Sequence, residues 1–418
     1  YRNQIYSQKF SGERKEISVN ELSEFVKTCL QYLEHSINAN KRKDNLYHAY
    51  NLLSYYETGI KISHLSEMLE GQVAVLSSGY LSADESLQLL DALRQSSLYR
   101  NDQDSYILYP NKALPGFLQK NNLPKQAVES SALLSKLIAD GNLSIIDKDI
   151  NGTYHFNGNF RNAEDVKQAL NKLGAKYQLQ VANEKEQVLQ IFEEVFNHKE
   201  FTGRSGTFYG YEGLGSIYWH MVSKLALAVE ETCLRAINEN EKKETVNRLV
   251  EHYYKITEGI GVHKSPELFG AFPVTPYSHT PMHRGAQQPG MTGQVKEDIL
   301  CRIGESGVQV QDGCLYFHPQ LLYRNEFIKG EKEVELTDVN SKKHTITIEK
   351  AALLFTYCQV PVMYIISDSE GVDIERADGS KNSYGHLVLN EADTASVLNR
   401  TGSVKLIKVH IQESRLIK

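Results

Sequence analysis

The richest concentration of chemically capable residues runs from Gly203 to His220 (GRSGTFYGYEGLGSIYWH). It holds five glycines, three tyrosines, the single Trp of the chain, one Glu and one His, and an apolar helical pattern follows it directly. Glycine permits backbone conformations with positive φ and lets a ligand approach closely. Aromatic rings and polar side chains at a helix N-terminus are typical of a ligand pocket. This stretch therefore predicts the wall of a binding site.

A second stretch of the same character covers residues 277–293 (YSHTPMHRGAQQPGMTG) and also leads into a helical pattern. It is rich in hydrogen-bond donors for sugar hydroxyls or an oxyanion, namely His279, His283, Arg284, Gln287 and Gln288. His279 and His283 have the spacing of a helical metal pair, but Pro281 between them breaks a helix. No nearby carboxylate completes a ligand set, so we expect no metal. We interpret the two stretches as opposite sides of one site.

His220 is the first candidate for binding an anion. It lies near the start of a helix predicted over 216–237, where Ser216 is a suitable N-cap residue. His220 and Lys224 lie one turn apart and away from the apolar stripe, which consists of Ile217, Met221, Val222, Leu225, Ala228 and Val229. Free N–H groups, the helix dipole and a nearby His favour phosphate. The alternative is that His220 is a structural hydrogen-bond donor.

Two carboxylates, Glu212 and Asp102, lie among aromatic and Gly residues. Glycoside cleavage needs a proton donor and, in a hydrolase, a second carboxylate that activates water. Both residues are candidates for catalysis, and Gln103 beside Asp102 is a candidate substrate contact. Compensation of the helix dipole is an equally good explanation of Glu212.

The elements that must carry these residues follow from hydrophobic periodicity. Residues 19–38 predict an amphipathic helix whose apolar face is Leu22, Phe25, Val26, Cys29, Leu30 and Leu33. Further helices are predicted at 62–79, 83–97, 127–139, 163–173, 184–196, 216–237, 241–257 and 291–304. Short strands are predicted on both sides of the turn at Asn151-Gly152. Residues 125–200 interrupt this pattern, and we predict that they form an insertion in the helical domain.

From Gly307 onward the hydrophobic period changes to that of strands. Turns such as Asp312-Gly313 separate the segments VQVQ, CLYF, EVELTDV, HTITIEK, PVMYIIS, VDIERADG, HLVLN and VKLIKVHI. We therefore predict a mainly α protein with two domains. Residues 1–304 form a toroid-type (α/α)6 helical domain, and residues 305–418 form an antiparallel β-sandwich.

Composition excludes several classes of function. The net charge of −6 gives no electrostatic case for nucleic acid or an anionic membrane. The five cysteines are scattered without a CxxC pair, which predicts reduced thiols in a cytoplasm. No stretch approaches the roughly 20 apolar residues of a membrane span. The 24 tyrosines suit a sugar site, although most of them are expected in the core or on the surface.

Three segments, in order along the chain, resemble a known family. GQVAVLSSGYLSADESLQLLDAL (71–93) is similar to a Q-S-W-A-V-L-S-G helix and the helix after it. SIYWHMVSKLALA (216–228) is similar to a Q-Y-T-H-A-A-A-W helix. GAQQPGMTGQVKEDILCRIGESGVQVQDGCLYFHPQL (285–321) is similar to a T-G-S-A-G-W-M-Y-R helix that continues into a β domain. The chain resembles the inverting β-glycoside phosphorylases of the cellobiose and chitobiose phosphorylase kind, and most of all the long 1,2-β-oligoglucan phosphorylases.

The resemblance covers most of residues 40–321 and implies roles for particular residues. His220 would contact phosphate, which is a co-substrate, and no cofactor is implied. The phosphate-contacting Thr of T-G-S-A-G-W falls on Pro289, so Gln288, Gly290 or Thr292 would take its place. The sugar side would be lined by Tyr209, Tyr211, Glu212 and Trp219. Residues 125–200 have no counterpart in the resemblance.

The general acid of this family lies in a G-D-W-N-D-G-M loop, which this sequence lacks. We therefore expect the acid upstream of Tyr1 and interpret the chain as the C-terminal portion of a longer enzyme. The predicted reaction is phosphorolysis of β-1,2-linked gluco-oligosaccharides to α-glucose 1-phosphate. The alternatives are an inverting glycoside hydrolase and a non-catalytic carbohydrate-binding fragment. The expected partners are the oligosaccharide and the N-terminal remainder of the enzyme, and a homodimer is left open.

Overall fold

The computed structural model describes residues 2–8, 12, 14–56, 59–65, 67–110, 117–196, 217–262, 279–280 and 294–417. About 46% of the described residues lie in helices, in agreement with the predicted mainly α class. The helices are α1 Arg2–Gln8, α2 Val19–Ala39, α3 Leu69–Ser77, α4 Ala83–Gln95, α5 Phe117–Lys120, α6 Lys125–Glu129, α7 Ala132–Ala139, α8 Ala163–Asn171, α9 Gln178–Phe196, α10 Trp219–Asn238, α11 Lys243–Thr257, α12 Gln294–Ser306 and α13 Glu391–Leu398. Within the described residues, none of these helices has the length and apolar character needed to cross a membrane.

The strands form antiparallel pairs and one larger sheet. Six pairs join neighbours in the sequence: β1 Asn51–Tyr56 with β2 Gly59–His64, β3 Tyr99–Arg100 with β4 Ser105–Tyr106, β5 Ile146–Lys148 with β6 Tyr154–Phe156, β7 Ile217–Tyr218 with β8 His279–Thr280, β9 Val308–Gln311 with β10 Cys314–Phe317, and β11 Lys332–Thr337 with β12 Lys343–Ile348. The larger sheet consists of β13 Ala352–Tyr357, β14 Val360–Ile366, β15 Gly371–Arg376, β16 Lys381–Tyr384 and β17 Val404–Ile411.

The chain divides into two compact units. Unit 1 comprises Tyr1–Tyr50, Glu67–Tyr106 and Ile217–Lys418, and unit 2 comprises Asn51–Ser66 and Ile107–Ser216. Unit 1 thus contains described helices of the predicted toroid together with the C-terminal strands. The toroid, the sandwich and the domain boundary at residue 304 stay predictions.

Helix α10 is the central helix of unit 1. It packs against α3, α11 and α12. Its predicted apolar stripe is buried in full, at Ile217, Met221, Val222, Leu225, Ala228 and Val229. His220 and Lys224 lie off the stripe and are partly exposed. Removing apolar surface from water contributes roughly 25 cal/mol for each Å², so this stripe fixes α10 in the core and leaves His220 at its edge.

Glycines allow α12 to approach its neighbours closely. A Cβ at Gly304 would overlap the carboxylate of Glu230 on α10. Gly307 ends the helix with φ of +71°, in the left-handed region, and a Cβ there would lie 2.1 Å from the carbonyl of His318. A left-handed glycine is a common end of a helix. Gly304 and Gly307 thus lie where α12 ends and the chain passes into β9.

The five-stranded sheet has the order β13-β14-β17-β15-β16. Its pairs are antiparallel except that β14 and β17 run parallel, which corrects the prediction of a purely antiparallel domain. Parallel neighbours need a long connection, and here β15, β16 and α13 supply it. Buried apolar residues cover the sheet, among them Phe317, Val362, Tyr364, Ile374, Ile407 and Val409. The Tyr364 hydroxyl donates to the carbonyl of Ser306 at 2.6 Å, which attaches the sheet to the end of α12.

Unit 2 has a core of its own, made by the β5–β6 hairpin and helices α6 to α9. The rings of Phe156 and Phe192 meet edge to face with centroids 5.0 Å apart. Glu184 on α9 accepts the backbone N–H of Leu133 at the start of α7 at 3.0 Å. Aromatic packing and this capping contact hold the helices against the hairpin.

Several element boundaries differ from the sequence predictions. The helix predicted over 62–79 begins only at Leu69, as α3, because residues 62–64 belong to β2. The alternating β-branched residues Ile60 and Ile62 favour a strand over the first turns of a helix. The helix predicted at 127–139 is divided into α6 and α7, because the Ser131 hydroxyl caps α7 by accepting from the N–H of Leu134 at 3.1 Å.

Two further boundaries were wrong. The helix predicted over 216–237 begins only at Trp219, since Ile217 and Tyr218 pair with β8. The N-cap residue is therefore Tyr218, and Ser216 lies outside the described residues. The predicted strand HLVLN makes only one bridge, between Tyr316 and Val388. It leads into α13, for which Asn390 is the N-cap residue.

Candidate functional site

His220 occupies the first turn of α10. Strand β7 runs directly into this helix, and the side chain of the N-cap residue Tyr218 does not cap a backbone N–H of the first turn. The first N–H groups of an α-helix have no intrahelical carbonyl partner and carry the positive end of the helix dipole. This end of α10 therefore suits a negatively charged ligand beside the imidazole.

A backbone pairing joins the two stretches that carry the candidate residues. In the β7–β8 pair, Ile217 lies opposite Thr280 and Tyr218 lies opposite His279. Strand β4 of the β3–β4 hairpin lies beside β7. The end of the first stretch, the beginning of the second and the hairpin that carries Asp102 are thus brought together. The side chain of His279 lies outside the described residues.

The imidazole of His220 is held at both nitrogens. Its Nε2 lies 3.3 Å from Oε1 of Glu297, and its Nδ1 lies 3.3 Å from the hydroxyl oxygen of Tyr218. The Tyr218 and His220 rings stand edge to face, at an angle of 85°. The side chain of His220 is 22% exposed. The ring is therefore oriented by two neighbours and still reaches the surface.

Glu297 lies in the first turn of α12 and is 1% exposed. Its Oε1 also lies 3.3 Å from Nζ of Lys296. Its Oε2 is buried and has no hydrogen-bond partner among the residues that the structure describes. A carboxylate removed from water is costly unless it is paired, so the contacts with His220 and Lys296 stabilise it.

Glu297 was not predicted from the sequence. The available signal was an acidic residue in the first turn of a helix that follows a Gly-rich stretch, and such residues usually compensate the helix dipole. Nothing in the sequence connects it with His220, which lies 77 positions earlier. Only the packing of α12 against α10 makes the two side chains neighbours.

The Asp102 carboxylate is engaged by Arg100 within the β3–β4 turn. Nε of Arg100 donates to Oδ1 at 2.9 Å, and Nη2 donates to Oδ2 at 2.6 Å. Such a bidentate pair holds the carboxylate in one orientation. Gln103, the next residue, is 5% exposed. The contacts of Asp102 describe a residue that stabilises the turn, and its catalytic role stays a prediction.

The remaining predicted residues divide into two groups. Trp219 is fully buried, and its role as a substrate contact stays a prediction. The others lie outside the described residues: Tyr209, Tyr211, Glu212, His283, Arg284, Gln287, Gln288, Gly290 and Thr292. Their roles stay predictions.

A buried acidic cluster lies between α10, α11 and α12. Burial, together with the charges of Glu231 and Glu305, raises the pKa of Glu230 to about 8. The Tyr253 hydroxyl donates to Oε1 of Glu305 at 2.6 Å. Burial and the charge of Glu230 raise the pKa of the Cys301 thiol to about 12. In the described part of the chain, no three His, Cys, Asp or Glu residues are arranged to hold a metal ion.

Residues 114–199 match the family model described as GH149 phosphorylase insertion domain 2. The match supports a GH149-type phosphorylase family. This likeness of residues 114–199 agrees with the glycoside phosphorylase class that the resemblance implies. The matched residues lie inside unit 2 and include most of residues 125–200, which the resemblance left without a counterpart. The curated proteins include no match to the chain.

Proposed function

We propose that this chain is part of an inverting glycoside phosphorylase that cleaves β-linked gluco-oligosaccharides with inorganic phosphate and releases α-glucose 1-phosphate. The observation that carries the proposal is the match of residues 114–199 to a GH149 phosphorylase insertion domain. The geometry around His220 supports it, because a partly exposed imidazole stands at the N-terminus of a 20-residue helix.

In the proposed reaction phosphate is the nucleophile. One phosphate oxygen forms a bond to the anomeric carbon, the bond between this carbon and the glycosidic oxygen breaks, and a general acid protonates the leaving oxygen. Phosphate replaces the water and the base of a hydrolase, so one carboxylic acid suffices. Our hypothesis keeps this acid in a segment upstream of Tyr1.

His220 and the N–H groups at the start of α10 would bind the phosphate. An anion at this place gains charge-assisted hydrogen bonds and the favourable end of the helix dipole. Both nitrogens of the ring have partners in this structure, at 3.3 Å each. Phosphate therefore has to replace or share the contact at Nδ1, since Nε2 is turned toward buried Glu297.

The linkage of the substrate is the finer part of the proposal. The resemblance favours β-1,2-linked glucose, and this preference rests on the resemblance alone. We would incubate the complete enzyme with β-1,2-, β-1,3- and β-1,4-linked gluco-oligosaccharides, with and without phosphate. Glucose 1-phosphate that forms only with phosphate supports the proposal. Free glucose that forms at the same rate without phosphate would show the alternative, an inverting hydrolase.

Helix α2 supports the proposed partner, the N-terminal remainder of the same enzyme. The helix has 21 residues, begins with a capping box made by Ser18 and Glu21, and contains no buried residue. Its apolar face, as predicted from the sequence, is exposed at Leu22, Phe25, Val26, Leu30 and Leu33. An apolar face of this extent is typical of a surface that packs against another part of a protein. A homodimer would cover the same face.

A further inference from the structure

The most informative unexplained side chain is Glu297. It combines almost complete burial, a contact with the candidate phosphate ligand and a carboxylate oxygen without a described partner. Packing alone does not require a charged group at this position, because an apolar side chain would avoid the cost of removing a carboxylate from water. The contact with His220 offers a functional reason for a carboxylate at this position.

The two contacts of the imidazole face different surroundings. Nε2 faces Glu297, which is buried between α10 and α12, whereas Nδ1 faces the side chain of the N-cap residue Tyr218. The Nδ1 edge is consequently the one that is turned away from Glu297 and is open to exchange of its partner. When Glu297 accepts a hydrogen bond from Nε2–H, it fixes the orientation of the ring, and a doubly protonated ring then has Nδ1–H to donate to a phosphate oxygen.

We propose that Glu297 is a positioning residue for phosphate, which acts by holding the Nε2 edge of His220 so that the Nδ1 edge is presented at the N-terminus of α10. This inference rests on the proposed function. A ring held in one orientation loses less freedom when the ligand binds, so its hydrogen bond to phosphate is stronger. Lys296, which also contacts Oε1 of Glu297, helps to hold the carboxylate in place.

The test measures the initial rate of glucose 1-phosphate release by the complete enzyme, with phosphate and oligosaccharide varied separately. For Glu297→Ala we expect the KM for phosphate to rise about tenfold, which corresponds to about 1.4 kcal/mol. The KM for the oligosaccharide and kcat should stay within about twofold, because a positioning contact affects chiefly the ligand that it serves. Glu297→Gln should recover most of the phosphate affinity, because its amide oxygen also accepts a hydrogen bond from Nε2.

Glu230→Ala is the matched control. Glu230 is 3% exposed and lies between the same two helices, where it faces Gly304 and not His220. Truncation at this position opens a similar space between α10 and α12. The control therefore shows whether looser packing of the two helices, by itself, changes the KM for phosphate. We expect no change in the KM for phosphate. An equal rise in the control and in Glu297→Ala would overturn the proposal.

A double variant shows whether Glu297 acts through His220. In a His220→Ala background, Glu297→Ala should raise the KM for phosphate no further, because the group that it positions is absent. Additive effects of the two substitutions would overturn the proposal, as would an unchanged KM for phosphate in a folded Glu297→Ala enzyme. If the wild-type enzyme forms no sugar phosphate with any of the three linkages, the proposed function itself is wrong, and this outcome is distinct from the others.

Discussion

The carboxylate oxygen Oε1 of Glu230 lies 1.5 Å from the position that a Cβ on Gly304 would occupy. Helices α10 and α12 therefore approach each other at a residue that has no side chain. The same pair of helices brings Glu297 to His220. The packing of α10 against α12 thus includes both the close approach at Gly304 and the contact between Glu297 and His220.

Gly304→Ala should separate this pair of helices. Alanine favours a helix more than glycine does, but its methyl group would overlap a buried carboxylate, and overpacking a core costs about 1–3 kcal/mol. We expect a loss of that size in the free energy of unfolding, measured by urea denaturation. Gly330→Ala is the control, because a Cβ at Gly330 meets nothing within 4 Å. If Glu230→Ala fails to relieve the loss in a double variant, the overlap is not its cause.

The protonation of Glu230 should make stability depend on pH. Its pKa rises from the ordinary value of 4.5 to about 8 in the folded protein, chiefly because of burial. The folded state therefore keeps a proton that the unfolded chain releases, so stability decreases as pH rises between these two values, by up to about 1.4 kcal/mol for each pH unit. Above pH 8 both states are ionised, and the contribution no longer changes.

Glu230→Gln should remove this dependence. We expect the stabilisation of Glu230→Gln relative to wild type to grow between pH 5 and pH 8 and then to level off, as measured by thermal or urea unfolding at each pH. Glu244→Gln, an exposed position in the first turn of α11, changes the net charge equally and should leave the slope unaltered. If the stability of wild type and that of Glu230→Gln depend on pH in the same way, Glu230 is not protonated in the folded protein.

His220→Ala should weaken phosphate binding selectively. Loss of a charge-assisted hydrogen bond costs about 1.5–3 kcal/mol, so the KM for phosphate should rise by at least about tenfold. The KM for the oligosaccharide should change little, because the sugar is held elsewhere. Lys224→Ala, one turn further along α10 and also partly exposed, serves as the control. Equal effects on both substrates would point to a general disturbance of the site.

Phe192→Ala should destabilise unit 2. Its ring is 1% exposed and packs edge to face on Phe156, and truncation of a buried Phe costs about 3–5 kcal/mol. Leu179→Ala on the same helix, α9, should have almost no effect, because Leu179 is 73% exposed. Unfolding can be followed by hydrogen exchange of the amides in 117–196. Comparable losses in the two variants would contradict the assignment of Phe192 to the core.

The sequence predicted elements with strong periodicity and missed contacts that depend on long-range packing. The stripe from Met221 to Val229 repeats at helical spacing, so both the helix and its buried face were predicted correctly. The beginning of α10 was misplaced because Ser216 is a good N-cap residue locally, while the pairing of Ile217 and Tyr218 with β8 overrides it. Glu297 could not be assigned for a similar reason, since its partner belongs to another helix.

Strand pairing was predictable where neighbours in the sequence form a hairpin. The turn at Asp312-Gly313 has positive φ at both residues, 49° and 77°, as a tight hairpin requires. The parallel pairing of β14 with β17 has no such local signal. Alternation predicts that a segment is a strand but not which strand lies beside it, and for this reason the domain was expected to be wholly antiparallel.

The position of β17 has a consequence for folding. This strand follows both hairpins in the sequence, β13–β14 and β15–β16, yet it lies between them in the sheet. Each hairpin closes over a short loop. The two hairpins can join only after β17, about forty residues downstream of β14, has been added between them. Contacts between residues so far apart in the sequence form slowly. During synthesis, the two hairpins would therefore form before the complete sheet, and the strands that later pair with β17 would have unpaired backbone N–H and C=O groups. Such strand edges readily pair with strands of other chains.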